Sequence, residues 1–543
     1  MSIPLLRAAL LVALVLPVPA AFARDVRVND VTALRAAVNA AMPGDVILLA
    51  PGTYRLTSRL SCAANGTASQ RIVLRSEVRH AARLEVDTLI GLGVSGAFWT
   101  FEDLEVRGVC ASDAACEHAF QVTGGATDVV LRGNRLIDFN AQLKVNAVVS
   151  SPGNAVMPHR GLVEANEIFD TRPRNLGSAG NPVTKLNIDT GDDWVVRDNY
   201  LHDWRKNGGN FVSYGVFLKS GGKRGVMERN LVICATQAVP LQSGNDARIG
   251  LSFGGGGTGG AFCFPAFDAN TPCTVEHEDG IARNNVVVNC SDVALYVNRG
   301  RNTRVLYNTF IATTGVDFRF DTTTGAAVGN VTSGAIRQRD MGTFSGMANL
   351  TGVTTATFDG WYTTPLTGDL SLQGSVSMLV GAGPRDALVT DDFCGRPRPA
   401  SGPFTQGALE HSLGSCVTTK PPMGGAGGGS AGGGSAGGGS AGGGSAGGGS
   451  AAGGSAAGGS AGGGSAGGSA GGGSAGGEAG GPGVSAGGTA GSGTCSCSAS
   501  ETCERGRCVP VMGGCGCSSA GGSLVLLSLW LFSALGRRRG WRP

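Results

Sequence analysis

The chain has 543 residues, 93 of them glycine, with 43 Lys and Arg against 40 Asp and Glu for a formal net charge of +3. So even a balance excludes the concentrated basic face of a nucleic-acid binder. Most of the glycine excess lies after Pro422, so composition has to be read in pieces. In chain order, residues 1–23 read as a secretory signal. Arg7 supplies the positive start, Leu10 to Leu16 the short apolar run, and Ala21-Phe22-Ala23 a small-x-small cleavage site. Export would make disulfides permissible.

A globular body is expected over residues 24–417. It opens on a helix from Val31 to Met42, with Thr32 as cap and Leu34, Ala37, Val38 and Ala41 on one face. Pro43-Gly44-Asp45 is a turn, Val46 to Leu49 a buried strand, and Pro51-Gly52 a second turn. A repeat follows, in which a short strand ends in Asn and is followed by another apolar pair. Its copies centre on Asn134, Asn166, Asn199, Asn230, Asn285, Asn308 and Asn330. Most neighbours lie roughly twenty to thirty-odd residues apart, the range of solenoid coils.

One such coil cannot bury its apolar face alone, but stacked coils form a continuous core. An inward Asn at each turn can bond the same Asn above and below, which satisfies polar groups that burial would otherwise leave unpaired. The pattern predicts an all-β, right-handed parallel β-helix whose N-terminal helix caps the open end of the stack. A propeller would need longer blade repeats, and a sandwich would not give one strand and one Asn per period. The larger gap between Asn230 and Asn285 holds either an extra coil or a long excursion around the glycine run.

Residues 418–493 repeat Gly-Gly-Gly-Ser-Ala units and are expected to behave as a flexible, disordered linker. A small cysteine cluster, 494–517, follows, and then an apolar stretch and Arg537-Arg538-Arg539 within 518–543. There are 15 cysteines, so at least one is free, modified or intermolecular. Spacing offers Cys110 with Cys116, Cys263 with Cys273, Cys394 with Cys416 and Cys503 with Cys508 as bridges. Cys62, Cys234 and Cys290 either pair among themselves or stay as buried thiols.

The chemistry is sparser. β-Elimination needs a base near the proton beside a carboxylate and a cation to stabilise the resulting charge. Lys219 could be the base, with Lys223, Arg224 and Arg248 near in sequence to tune it or to hold the carboxylate, and Lys185 and Arg205 adding positive charge. His202, Trp204 and Tyr214 offer faces for sugar rings. Asp189, Asp192 and Asp193 could present hard oxygens to calcium, though a solvated turn is the plainer reading. Glu276-His277-Glu278-Asp279 could hold a metal or act as acid and base, or be charged turn residues. Paired carboxylates for glycoside hydrolysis would have to come from Asp192, Asp193 and Asp246, without a motif. The Gly254 to Gly257 run lacks the Gly-Lys-Ser/Thr ending and a following helix, which excludes a nucleotide site.

The stretch from Val31 to Ile72, with Pro-Gly-Asp-Val-Ile-Leu-Leu-Ala-Pro-Gly-Thr-Tyr and Gly66-Thr67, resembles the polysaccharide lyase family of chondroitinase B and alginate lyases. Leu218-Lys219-Ser220 before Val226 to Leu231 is similar to that family's Lys-Ser strand. Asp391 to Glu410 is similar to the closing segment of many parallel β-helix proteins. The resemblance implies an acidic polysaccharide substrate, Lys219 as the base, an arginine one coil later, and acids just before the lysine that hold calcium. Val212 and Tyr214 stand where those acids are expected and Gln242 where the arginine is, and the catalytic candidates in this chain are Lys219, Arg248 and Arg224.

Cys515-Gly516-Cys517, the apolar stretch and the arginine cluster resemble the MYXO-CTERM sorting signal. That resemblance implies processing by signal peptidase and then a C-terminal sorting protease, with display at the cell surface or outer membrane. A single-span anchor is the other reading of the tail. Two functions follow for the body: lyase-type elimination on acidic polysaccharide, or a non-catalytic carbohydrate-binding or adhesive surface protein.

Overall fold

The computed structural model describes residues 23–151, 154–176, 182–236, 246–255, 273–418 and the strand pair 501–504 and 507–510. Short strands joined by sharp turns climb through three sheets in strict rotation. Sheet one holds twelve strands from Asp25–Val28 to Ser345–Met347. Sheet two holds ten from Gly52–Leu56 to Val331–Thr332, and sheet three ten from Leu60–Cys62 to Ala335–Arg339. The ladders within them are parallel. The body is therefore a parallel β-helix. Its interior is filled by one continuous cluster running from Val28 to Ala327.

The asparagine stack is real and longer than the sequence pattern suggested. Nδ2 of Asn134 donates to Oδ1 of Asn166 at 3.0 Å, Asn166 to Asn199 at 3.0 Å, and Asn199 to Asn230 at 3.0 Å. Asn230 then bonds Asn285 directly at 2.9 Å, so the long gap is an excursion and not an extra coil. Asn285, Asn308 and Asn330 continue the stack, and it closes on Asn349, which the repeat reading did not include. From Asn166 to Asn349 each Oδ1 also accepts from the backbone N–H of the preceding asparagine, Asn134 Oδ1 accepts from Leu104 N, and each Nδ2 from Asn134 to Asn349 donates to a main-chain carbonyl. Buried donors and acceptors at every turn are thus paired.

The N-terminal helix, Val31–Asn39, buries Leu34 and Val38 against the first coils. Its cap is Asp30, whose Oδ1 accepts from Ala33 N at 2.8 Å, and not Thr32. A carboxylate one residue outside the first turn reaches the free N–H groups, which is what a cap requires. At the other end, residues 353–418 fold back over the outer face of sheet two. Phe358, Trp361, Tyr362, Leu370 and Leu379 cover Leu231, Ile233, Val286, Val288 and Ile311. Asn284 and Arg398 help to fix this return, and Arg398 forms a buried pair with Glu410 at 3.0 Å. A separate unit, Ala426–Val511, contributes an antiparallel hairpin, Glu501–Glu504 with Arg507–Pro510, in which Cys503 stands opposite Cys508.

Cys110–Cys116 and Cys394–Cys416 are bridged, and Cys234 pairs with Cys290. Cys62 is a buried free thiol. Cys273 is disulfide-bonded, while Cys263 lies outside the described residues. The Cys234–Cys290 bridge closes a loop over a separation of 56 residues, across the long excursion. Replacing both by alanine is expected to lower stability by about 4 kcal/mol, from the lost restriction of the unfolded chain. Urea midpoints check this, and an unchanged midpoint would mean that the bridge adds nothing to the Asn230–Asn285 contact. The signal, most of the linker, Cys515, Cys517 and the tail lie outside the described residues. Among the described residues no helix is long and apolar enough to cross a membrane.

Candidate functional site

The outer faces of the three sheets differ in how their charges are matched. On sheet one the register sets Glu102, Arg132, Glu164, Arg197, Glu228 and Arg283 side by side in strict alternation. The pairs close at 3.0 Å for Arg132 with Glu102, 2.7 Å for Arg197 with Glu164 and 2.5 Å for Arg283 with Glu228. Sheet two starts the same way, with Arg83 on Glu105 at 2.6 Å and Arg135 on Glu167 at 2.8 Å, and is then covered by the C-terminal segment. Sheet one balances along this run, while on sheet two Glu105 also takes Arg135 at 3.5 Å and Arg107 at 3.8 Å.

Sheet three differs. Its strands Ala141–Asn146, Val183–Asp189 and Val212–Lys219 run in register, with Asn146 beside Asp189 and Asp189 beside Lys219. Lys144 Nζ lies 2.7 Å from Asp189 Oδ2, and Lys219 Nζ 3.8 Å from Asp189 Oδ1. Ser220 Oγ also donates to Oδ1. Burial would raise the Asp189 carboxyl, but Lys219, Lys144 and the serine outweigh it and hold it at about 2. Two ammonium groups therefore share one ionised carboxylate, leaving one positive charge over. Lys144 and Lys219 keep 12% and 14% of their side chains exposed. The Phe217 ring lies 4.7 Å from Lys219 Nζ. Asn187, level with Lys144 and Phe217 in adjoining strands, has a buried Oδ1 with no hydrogen-bond partner among the described residues.

Other residues singled out in the sequence stand elsewhere. Arg224 sits in the turn after sheet three, on Asp193 at 2.7 Å and Asp192 at 3.3 Å. Arg248 is opposite Ser213, six residues along the strand from Lys219 and so about 20 Å away. The position one coil after Lys219 is not Gln242, which lies outside the described residues. Phe253 pairs with Leu218, and Gly254 N donates to Leu218 O at 2.7 Å. Gly254 has φ +81°, and a Cβ there would meet Asn298 O at 1.8 Å. No arginine side chain fits at that point.

Lys185 and the three rings offered to sugars, His202, Trp204 and Tyr214, do not share a face. Lys185 is fully buried, its ammonium on Asp170 Oδ2 at 2.5 Å and Phe139 O at 2.7 Å. Desolvation pushes this lysine down and Asp170 up, although each favours the other's charged form. Trp204 is buried in the core and presents no ring to solvent. His202 lies on sheet two, stacked between Phe169 and Tyr200 at 4.6 and 4.3 Å. Burial lowers the His202 imidazole, but the bond to Asp203 and the Glu167 carboxylate 3.5 Å away raise it overall. Tyr214 packs into an apolar patch with Phe217, Ile249, Val293 and Tyr296.

Calcium does not fit the acids proposed for it. Asp189 is occupied by two lysines and a serine, and Asp192 by Lys223 N at 3.1 Å and Arg224. Among the described residues no three His, Cys, Asp or Glu side chains gather as a metal site. In the Glu276–Asp279 turn, Glu276 caps Ser220 N at 3.0 Å and Glu278 pairs with Lys223 and Arg301. His277 is buried against Phe253 and pushed down to about 3 by desolvation. Lys144 is the site residue that the sequence did not reveal. It is 45 residues from Asp189, and only the strand register brings them together.

No protein-family profile matches the chain, and no curated protein matches it. Among solved structures, the chain is similar to pectate lyase Pel9A at 14% identity, over 69% of this chain and 90% of that one, with a TM-score of 0.45. It is similar to an alginate lyase from Paenibacillus sp. str. FPU-7 at 14% identity, over 60% and 99%, with a TM-score of 0.33. A rhamnogalacturonan lyase matches at 12% identity, over 69% and 91%, with a TM-score of 0.37.

Proposed function

We propose that this β-helix, right-handed like nearly all parallel crossovers, engages an acidic polysaccharide on the outer face of sheet three. The observation that carries this reading is the Lys144–Asp189–Lys219 group, two cations on one carboxylate, set against the alternating acids and bases of sheet one. A uronate carboxylate supplies the anion that the two ammonium groups lack. Elimination is the finer proposal. After Lys219 Nζ gives up a proton to solvent, it takes the proton from the carbon beside the carboxylate, a C=C bond forms as the glycosidic C–O bond on the next carbon breaks, and the departing sugar oxygen takes up a proton from the re-formed ammonium or from water. Lys144 holds the carboxylate while charge builds on it. The proposal extends to location: the signal and the tail would export the chain and display it at the cell surface, through signal peptidase and a sorting protease.

A second reading is a non-catalytic binding module. It is favoured by Gly254, which closes the position that an assisting arginine would take. One experiment separates the two. The secreted full chain is incubated with alginate, chondroitin, dermatan and pectate, with and without calcium, and followed by the ultraviolet absorbance of unsaturated uronate. Product that vanishes in Lys219→Ala supports elimination. Binding without product, weakened at least tenfold in Lys219→Ala, selects the binding module. Neither product nor binding on any of the four overturns both.

A further inference from the structure

A second cation surplus lies at the corner between sheets two and three. Arg205 Nε is 3.3 Å and Arg248 Nε 3.5 Å from Asp246 Oδ2. Again two cations share one carboxylate. Here the fit is poorer, because among the described residues neither Asp246 oxygen nor either Nε makes a hydrogen bond, although all are buried. Arg248 is 4% exposed. A buried guanidinium without hydrogen bonds is costly unless something else completes it.

Arg248 lines an open cleft of about 500 Å³, the size of a small-ligand site. Its other walls are hydroxyl-rich: Ser291, Thr313, Thr314, Ser333 and Thr354. They come from successive turns after sheet two and from the start of the C-terminal segment, so the β-helix and its covering segment build the cleft together. Cys290, also in the wall, ties this corner to Cys234.

We propose that this cleft is a second, independent binding site for the carboxylate of a single acidic sugar. The carboxylate completes Arg248, and the serine and threonine hydroxyls meet the sugar's own. The site stands apart from Lys219 by the six-residue offset along the strand, and it holds whether or not sheet three is catalytic.

The test uses the full secreted chain carrying Lys219→Ala, which silences sheet three. Glucuronate, glucose and inorganic sulfate are titrated calorimetrically. Glucuronate is expected to bind, with glucose at least tenfold weaker. Arg248→Gln should weaken glucuronate at least tenfold. So should Thr314→Trp, an exposed wall position that fills the cleft without disturbing a buried charge. Glucose binding as well as glucuronate would overturn the anion requirement. Sulfate binding as tightly as glucuronate would overturn the sugar. Glucuronate binding that survives Thr314→Trp, or that is lost already with Lys219→Ala, would overturn the site.

Discussion

Replacing Asn230 by alanine is expected to lower the unfolding free energy by about 3–6 kcal/mol, because several buried groups lose their partners at once. Its Nδ2 donates to Val196 O and Asn285 Oδ1, and its Oδ1 accepts from both the backbone N and the Nδ2 of Asn199. Alanine leaves Val196 O and Asn199 N in a site that is fully buried. The loss falls where the long excursion leaves the stack, so no flanking coil of ordinary length compensates. Asn349→Ala, at the open and partly buried end, should cost only about 1 kcal/mol. Urea unfolding of the two variants checks the contrast. Equal small losses would mean that each asparagine is replaced by water and that the stack does not hold the coils together.

The stack was legible because it repeats. One asparagine per coil, with apolar pairs on both sides, survives any uncertainty about which strand pairs with which. It was missed at Asn349 because the coil there is short and carries Gly346, Met347 and Ala348 in place of an apolar pair. The site was far less legible. Which outward side chains meet on a parallel sheet depends on register between coils, and register is not written in either coil alone. Lys144 and Asp189 look unrelated in the chain and are hydrogen-bonded in space.

Alternation misled the reading as well. Gly215 and Val216 both face the interior, since a Cβ on Gly215 would meet the Trp204 ring at 3.0 Å and Val216 is in the core. The in–out alternation therefore slips by one residue there. Lys185, between pairing positions that set it level with Gly215, is buried with it. A strict two-residue period would have left that lysine on the surface, as the sequence reading did.

Asp189→Asn is expected to change stability and ligand binding in opposite directions, which separates a paired structural carboxylate from one that guards an anion site. The folded carboxyl stands at about 2, below the ordinary value of 3.8. Its contribution is therefore fully present above about pH 4 and is lost as pH falls through 2. Wild type should exceed Asp189→Asn in stability by an electrostatic part of about 2 kcal/mol at pH 5, and that part should fade by pH 2. Urea unfolding at the two pH values measures it, with the variant cancelling the other carboxylates that titrate in the same range. At pH 7 the same variant leaves Lys144 and Lys219 without their shared counter-charge. Removing one negative charge from beside a bound uronate should tighten its binding about tenfold at low salt, and less as salt rises. Weaker binding in the variant would instead mean that Asp189 orders the two lysines for the ligand. In that case the surplus charge on sheet three would act only through the geometry that this carboxylate imposes.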